Sequence, residues 1–129
     1  MKNLSIKGIQ TSEKNLFVYW LEFLKPYHKL ANKEIEALGL MLYYRHELSK
    51  EVSNEDLVDK LLFSSDIRQK IKTDLGGMKN GVFNNLLSTL RRKKVLSTKN
   101  KITSSLIPNK DPMSKEFSLV FNFQINEDK

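Results

Sequence analysis

The residues with the clearest chemical bias lie between Ser64 and Lys110. That stretch carries 11 lysines and arginines against Asp66 and Asp74, a local charge of +9, while the rest of the chain carries 11 basic and 13 acidic residues, a charge of −2. No acid occurs from Leu75 to Lys110, and within that span Asn84, Asn85, Ser88 and Thr89 precede the run Arg91, Arg92, Lys93, Lys94. Asparagine can donate and accept toward adenine N6 and N7, arginine can fork onto guanine or phosphate, serine and threonine can serve either, and lysine is a point charge for phosphate. A carboxylate on the same face would repel such a ligand. The asymmetry is therefore the electrostatic footprint of a half that binds a polyanion.

Other chemistries find little support in the residue types. The chain has no cysteine, which removes disulfides and thiolate metal sites. It has no glycine-rich phosphate loop, HExxH pair or GxSxG elbow. His28 and His46, 18 residues apart and beside no carboxylate cluster, read as two surface histidines rather than metal ligands. Glu55, Asp56 and Asp59 read as ordinary complements to a helix macrodipole. The expectation is a noncatalytic protein with no catalytic residue, no metal ligand and no cofactor. The N-terminal MKNLSIKGIQ lacks the apolar region of a secretory signal and no apolar run approaches the roughly 18 residues of a membrane span. A soluble, unprocessed, cytoplasmic protein with no membrane contact is expected.

The elements that must position the basic half follow from the hydrophobic pattern. At 129 residues and 40% hydrophobic content, the chain suits one domain spanning 1–129. Leu4 and Ile6 suggest a short strand or arm. Ser12 caps a helix with Phe17, Trp20, Leu21 and Leu24 on its apolar stripe, closed by Pro26. Asn32 caps a longer helix burying Ile35, Leu38, Met41, Leu42 and Leu48. Asn54 caps a third, through Phe63, with Leu57, Leu61 and Leu62 inward. Ser65 or Asp66 starts a fourth, in which Ile67, Ile71 and Leu75 face the core while Arg68, Lys70 and Lys72 project outward; Gly76 and Gly77 end it.

A fifth helix is expected from about Met78 to Lys93, with Phe83, Leu86, Leu87 and Leu90 as its buried stripe. At 100° per residue, Gly81, Asn85, Ser88 and Arg92 then lie opposite the core, with Asn84 and Thr89 beside them. Asparagine, serine and threonine are poorer helix formers than glutamate and lysine, so this composition is not that of an ordinary solvated face. Beyond it, Val95 and Ile102 suit short paired strands around a turn at Thr98 to Asn100, with Lys99 and Lys101 near the tip. Ser104 to Met113 reads as a crossing loop. Phe117, Leu119, Phe121, Phe123 and Ile125 alternate with polar or smaller residues as a strand.

An apolar-stripe helix, a glycine turn, a helix ending LLSTLRRKKVLS and a lysine-tipped hairpin together resemble the winged helix-turn-helix superfamily. The resemblance covers roughly residues 32–103. It implies a mainly α fold with a small β part (α+β): a helix-turn-helix core at about 32–94, a wing at about 95–107, an added N-terminal helix and a C-terminal strand at about 116–125. It also implies a recognition helix in the major groove of double-stranded DNA and a basic wing on the backbone. The residues expected to touch DNA are Lys79, Asn80, Asn84, Asn85, Ser88, Thr89, Arg91, Arg92, Lys93, Lys94, Lys99 and Lys101. Lysine supplies 18 of the 22 basic residues and asparagine occurs 11 times, a bias of AT-rich coding that is also similar to small winged-helix proteins of tailed bacteriophages. Transcriptional regulation in a prokaryotic or phage-infected cell is the leading use. A module docking on a polymerase or a phage assembly component is the alternative, and a homodimer through the C-terminal strand or N-terminal helix stays open.

Overall fold

The computed structural model describes residues 11–109, 111 and 114. The described chain forms six helices: α1 (Glu13–Phe23), α2 (Lys25–His28), α3 (Asn32–Ser49), α4 (Glu55–Leu62), α5 (Ser65–Asp74) and α6 (Asn80–Arg92), with a single 3-10 turn at Ser104–Leu106. The arm around Leu4 and Ile6 and the strand expected at 116–125 lie outside the described residues.

The starts of these helices follow local hydrogen-bond chemistry. The side-chain oxygens of Ser12, Asn54 and Ser64 accept from the amides of Asn15, Leu57 and Ile67 at the starts of α1, α4 and α5, satisfying donors that a helix leaves unpaired. At α3 the cap falls one residue earlier than expected. Ala31 takes the capping position, Asn32 becomes the first helical residue, and Glu34 reaches back to accept from the Ala31 amide at 3.0 Å. Pro26 does not close α1; it sits in the first turn of α2, where its missing N–H costs nothing.

Helix α3 is the axis of the molecule. It buries Ile35, Ala37, Leu38, Leu40, Met41 and Leu42, a wider arc than one stripe, because α1, α4 and α5 all pack against it. Gly39 permits the close approach of α1: a Cβ there would lie 2.9 Å from Val18 Cγ2. Phe17 and Leu21 of α1, Leu62 of α4, Ile71 and Leu75 of α5, and Phe83, Leu87 and Leu90 of α6 complete one contiguous core. In α4 the inward residue is Val58, and Leu57 faces solvent, since Leu62 shares a face with Val58 four residues away and not with Leu57.

Both histidines are buried, contrary to the surface reading. His28 Nδ1 accepts from the Leu30 amide at 3.0 Å, so its Nε2–H donates to the Leu21 carbonyl at 2.6 Å, and the ring stitches the end of α1 to the loop entering α3. His46 Nε2 meets Glu13 at 2.8 Å, and its ring packs on Phe17. Their sequence neighbours gave no sign of this, because His28 bonds backbone groups, which any residue type supplies, and Glu13 and Phe17 reach His46 from another helix. Among the described residues, no buried side-chain nitrogen or oxygen lacks a hydrogen-bond partner, as a native core requires.

Among the described residues the expected sheet is absent. Among the described residues the only β pairing is a single antiparallel bridge between Leu96 and Ile102, so the described fold is all-helical and the winged α+β reading is corrected. Three features keep the hairpin this short. Val95 and Leu96 are both buried, which breaks the alternation a strand needs. The Ser97 hydroxyl accepts from the amides of Lys99 and Lys101, closing the turn on itself. Beyond Ile102 the chain enters the 3-10 turn, whose Leu106 carbonyl accepts from Trp20 Nε1 at 2.8 Å.

Candidate nucleic-acid interface

Helix α6 divides cleanly by face. Phe83, Leu87 and Leu90 are buried and Leu86 is half-buried, while Gly81, Asn84, Asn85, Ser88 and Arg92 are exposed. Gly76 and Gly77, with φ of +85° and +79°, make the left-handed turn that reverses the chain between α5 and α6. The amides of Gly77 and Met78 both bond the Lys72 carbonyl at 3.0 Å, closing the last turn of α5 as a C-terminal glycine motif does.

The C-terminal end of α6 is built without glycine. Lys94 donates its amide to the Arg91 carbonyl at 3.0 Å and Val95 donates to Leu90 at 3.1 Å, the paired bonds of a Schellman motif. Lys94 therefore holds the left-handed position, at φ 65°, where a β-carbon is unfavourable. The following hairpin turns at Asn100, also left-handed at φ 61°, whose side-chain oxygen accepts from Arg91 at 2.6 Å.

The twelve residues singled out from the sequence separate into two groups. Lys79, Asn85, Ser88, Arg92, Lys94 and Lys99 are exposed, and no side-chain hydrogen bond or ion pair engages Lys79, Lys94 or Lys99 among the described residues. The others are held. Lys93 pairs with Glu34 at 2.6 Å, and Lys101 with Asp56 at 3.1 Å. Thr89 turns its hydroxyl back to the Asn85 carbonyl, and Arg91 is tied to Asn100. Asn84 accepts from Arg68 at 2.9 Å and Asn80 accepts from Lys72.

The sequence places Arg68 and Lys72 on the outward side of α5, and the fold brings both to the asparagines of α6. Arg68 lies over the Phe83 ring, 5.8 Å from its centroid. Their four-residue spacing on the outward side of α5 was the available signal.

The two ion pairs differ in kind. The side chains of Asp56 and Lys101 are 84% and 53% exposed, so that pair is solvated and readily exchanged. Those of Glu34 and Lys93 are 14% and 32% exposed. Burial pushes the Glu34 carboxyl up, but the bonds from Lys93 and the Ala31 amide, with Arg92 nearby, outweigh it and hold the group below its ordinary range. The end of α6 is thereby fastened to the start of α3.

Other charged clusters are internally paired. Burial pushes Glu13 up, but hydrogen bonds from Lys50 and His46 outweigh it and keep its carboxyl low. Asp74 is pushed up by burial and more strongly down by bonds from Tyr44 and Lys14, while burial and the Asp74 bond drive the Tyr44 hydroxyl well above its ordinary value. A cleft of about 440 Å³ between α1, α3 and the end of α5 is lined by Lys14, Asn15, Val18, Glu36, Leu40, Asp74 and Leu75. Its cation and one of its carboxylates, Lys14 and Asp74, already face each other at 2.9 Å. Among the described residues no group of three His, Asp or Glu side chains is placed to hold a metal ion, and no helix is long and apolar enough to cross a membrane.

Comparison with protein-family models, curated proteins and solved structures finds no match to this chain. The candidate interface thus rests on its own residues.

Proposed function

We propose that the chain is a noncatalytic DNA-binding protein that lays the exposed face of α6 in the major groove and follows the backbone with the basic loop at 93–101. The observation that carries this reading is the exposed set Lys79, Asn85, Ser88, Arg92, Lys94 and Lys99, of which Asn85, Ser88 and Arg92 share the outward face of α6, in a span from Leu75 to Lys110 that contains no acid. Lysines hold phosphates and supply salt-dependent affinity. Asn85, Ser88 and Arg92 offer donors and acceptors to base edges, and Val82, an exposed apolar residue of the same helix, suits a thymine methyl. Regulation of transcription is the use that best suits a small module of this kind.

Fluorescence anisotropy of a labelled random-sequence duplex, titrated with the full chain over a range of salt, tests the reading. Neutralising about five phosphates gives a log-log slope near −4.5, and Asn85→Ala with Arg92→Ala weakens binding further. Absence of binding at low salt, or binding indifferent to the double substitution, would overturn the assignment and favour a protein partner.

A further inference from the structure

Asn80 and Asn84 do not offer the same chemistry as Asn85, although all three lie on α6. Arginine and lysine have donors only, so an asparagine bonded to either must present its carbonyl oxygen to it. Arg68 takes the Asn84 oxygen at 2.9 Å and Lys72 takes the Asn80 oxygen. That bond takes one of the two lone pairs of each amide oxygen and turns the oxygen toward its cation, so the group the amide presents away from that cation is its NH2. Bidentate reading of adenine needs an acceptor and a donor on one amide. An amide that presents NH2 beside a cation is instead suited to the oxygens of a phosphodiester.

The cations are held in place as well. Arg68 is fixed by its contact over the Phe83 ring and by Asn84, which leaves the rest of its guanidinium fork for a second oxygen. Lys72 sits one helical turn further along α5. The two pairs therefore run as a strip along the seam between α5 and α6.

Resting on the DNA-binding reading above, we propose that Arg68, Lys72, Asn84 and Asn80 form a strip of cations and amide NH2 groups that grips the phosphodiester backbone. Of the three asparagines, only Asn85 then reads a base. Arg68 and Lys72 join the interface as phosphate contacts, and Asn80 and Asn84 set position without contributing sequence preference.

Asn84→Asp separates this from a purely structural role. The aspartate keeps its bond to Arg68 and so preserves the fold, but it replaces the outward NH2 with a negatively charged oxygen. The full-length variant, wild type, Arg68→Met and Asn85→Ala are titrated against a labelled random duplex and a panel of single-base variants of a selected duplex, over a range of salt. The expected result for Asn84→Asp is an unchanged thermal midpoint with affinity lowered about tenfold on every sequence, and for Arg68→Met a salt slope shallower by about 0.9. Wild-type affinity in Asn84→Asp, or a loss confined to particular bases, would overturn the strip while leaving salt-dependent binding by wild type in place. If wild type itself shows no salt-dependent binding, the DNA-binding reading fails, and the strip falls with it.

Discussion

Lys94→Gly is expected to make the protein more stable and a weaker DNA binder at the same time. Lys94 occupies the left-handed position of the motif that ends α6, at φ 65°, where an L-residue with a β-carbon costs about 1–2 kcal/mol. Glycine removes that cost but has more freedom to lose on folding, about 0.5–1 kcal/mol, so the net gain is about 0.5–1 kcal/mol. Little opposes it, because Lys94 is exposed and its side chain makes no hydrogen bond or ion pair among the described residues. Its carbonyl, which accepts from the Thr103 hydroxyl at 2.8 Å, is retained in the variant. For a domain of this size the gain corresponds to a rise of roughly 2–4 °C in the thermal midpoint.

Binding responds in the opposite direction. Loss of one phosphate contact makes the salt slope shallower by about 0.9 and costs about fivefold in affinity near 0.15 M salt. Lys94→Ala serves as the partner variant, since it loses the charge and keeps the β-carbon; it binds as weakly as the glycine variant but melts below it. Thermal unfolding followed by circular dichroism, with anisotropy on the same samples, makes the comparison. A glycine variant that melts below wild type would refute the strain argument. One that melts higher and binds as wild type does would refute the placement of Lys94 at the interface.

Two further outcomes follow from the ion pairs. Glu34 has a folded-state pKa depressed below its ordinary value near 4.5. Its contribution to stability is therefore complete above that pH and is lost as pH falls through the lower folded value. Glu34→Gln is expected to lower the urea midpoint near pH 7 and to flatten its decline below about pH 4.5, with Glu13 and Asp74 sustaining the residual slope; an unchanged acid limb would count against the fastening of α6 to α3. Asp56→Asn frees Lys101 from a solvated pair and removes a nearby negative charge, so DNA binding is expected to tighten about two- to threefold at low salt and to converge on wild type as salt rises. Unaltered affinity at low salt would place Lys101 outside the interface.

The parts of the fold legible in the sequence were those set by local periodicity and capping. Asn54 and the apolar stripe of α6 are examples, since the spacing of Phe83, Leu87 and Leu90 alone assigns both the buried face and the outward one. The errors lie where a tertiary partner decides. The types of the residues around His28 do not indicate that its ring will bridge two backbone groups, the Leu21 carbonyl and the Leu30 amide. The small hairpin looked like a wing because Val95 and Ile102 have strand propensity, but β propensity reflects fit to a pleated, half-buried surface. Val95 and Leu96 both turn inward instead. The proposed interface shows the same division: its outward residues were readable, whereas Arg68 and Lys72 join the proposal only because α5 sets them against Asn84 and Asn80 of α6.

The charge of the basic half is therefore a poor count of its binding capacity. Lys93 is fastened to Glu34, so it cannot approach a phosphate without loosening the end of α6, and Arg91, tied by one nitrogen to Asn100, has only the rest of its guanidinium fork to offer. Lys101 is different, because a pair as exposed as that with Asp56 is worth little in water and gives way to a closer polyanion. Lys79, Arg92, Lys94 and Lys99, with Arg68 and Lys72 from α5, remain as cations that can engage phosphate with the fold intact. These come from α5, α6 and the loop after it, and α3 holds that loop through Glu34. Of these, Arg68 and Lys72 are held by Asn84 and Asn80, which lowers the cost of ordering long basic side chains at an interface; Lys79, Lys94 and Lys99 meet that cost in full. In the DNA-binding reading, this preorganised pair, rather than net charge, is what sets the surface apart from lysine-rich surface in general.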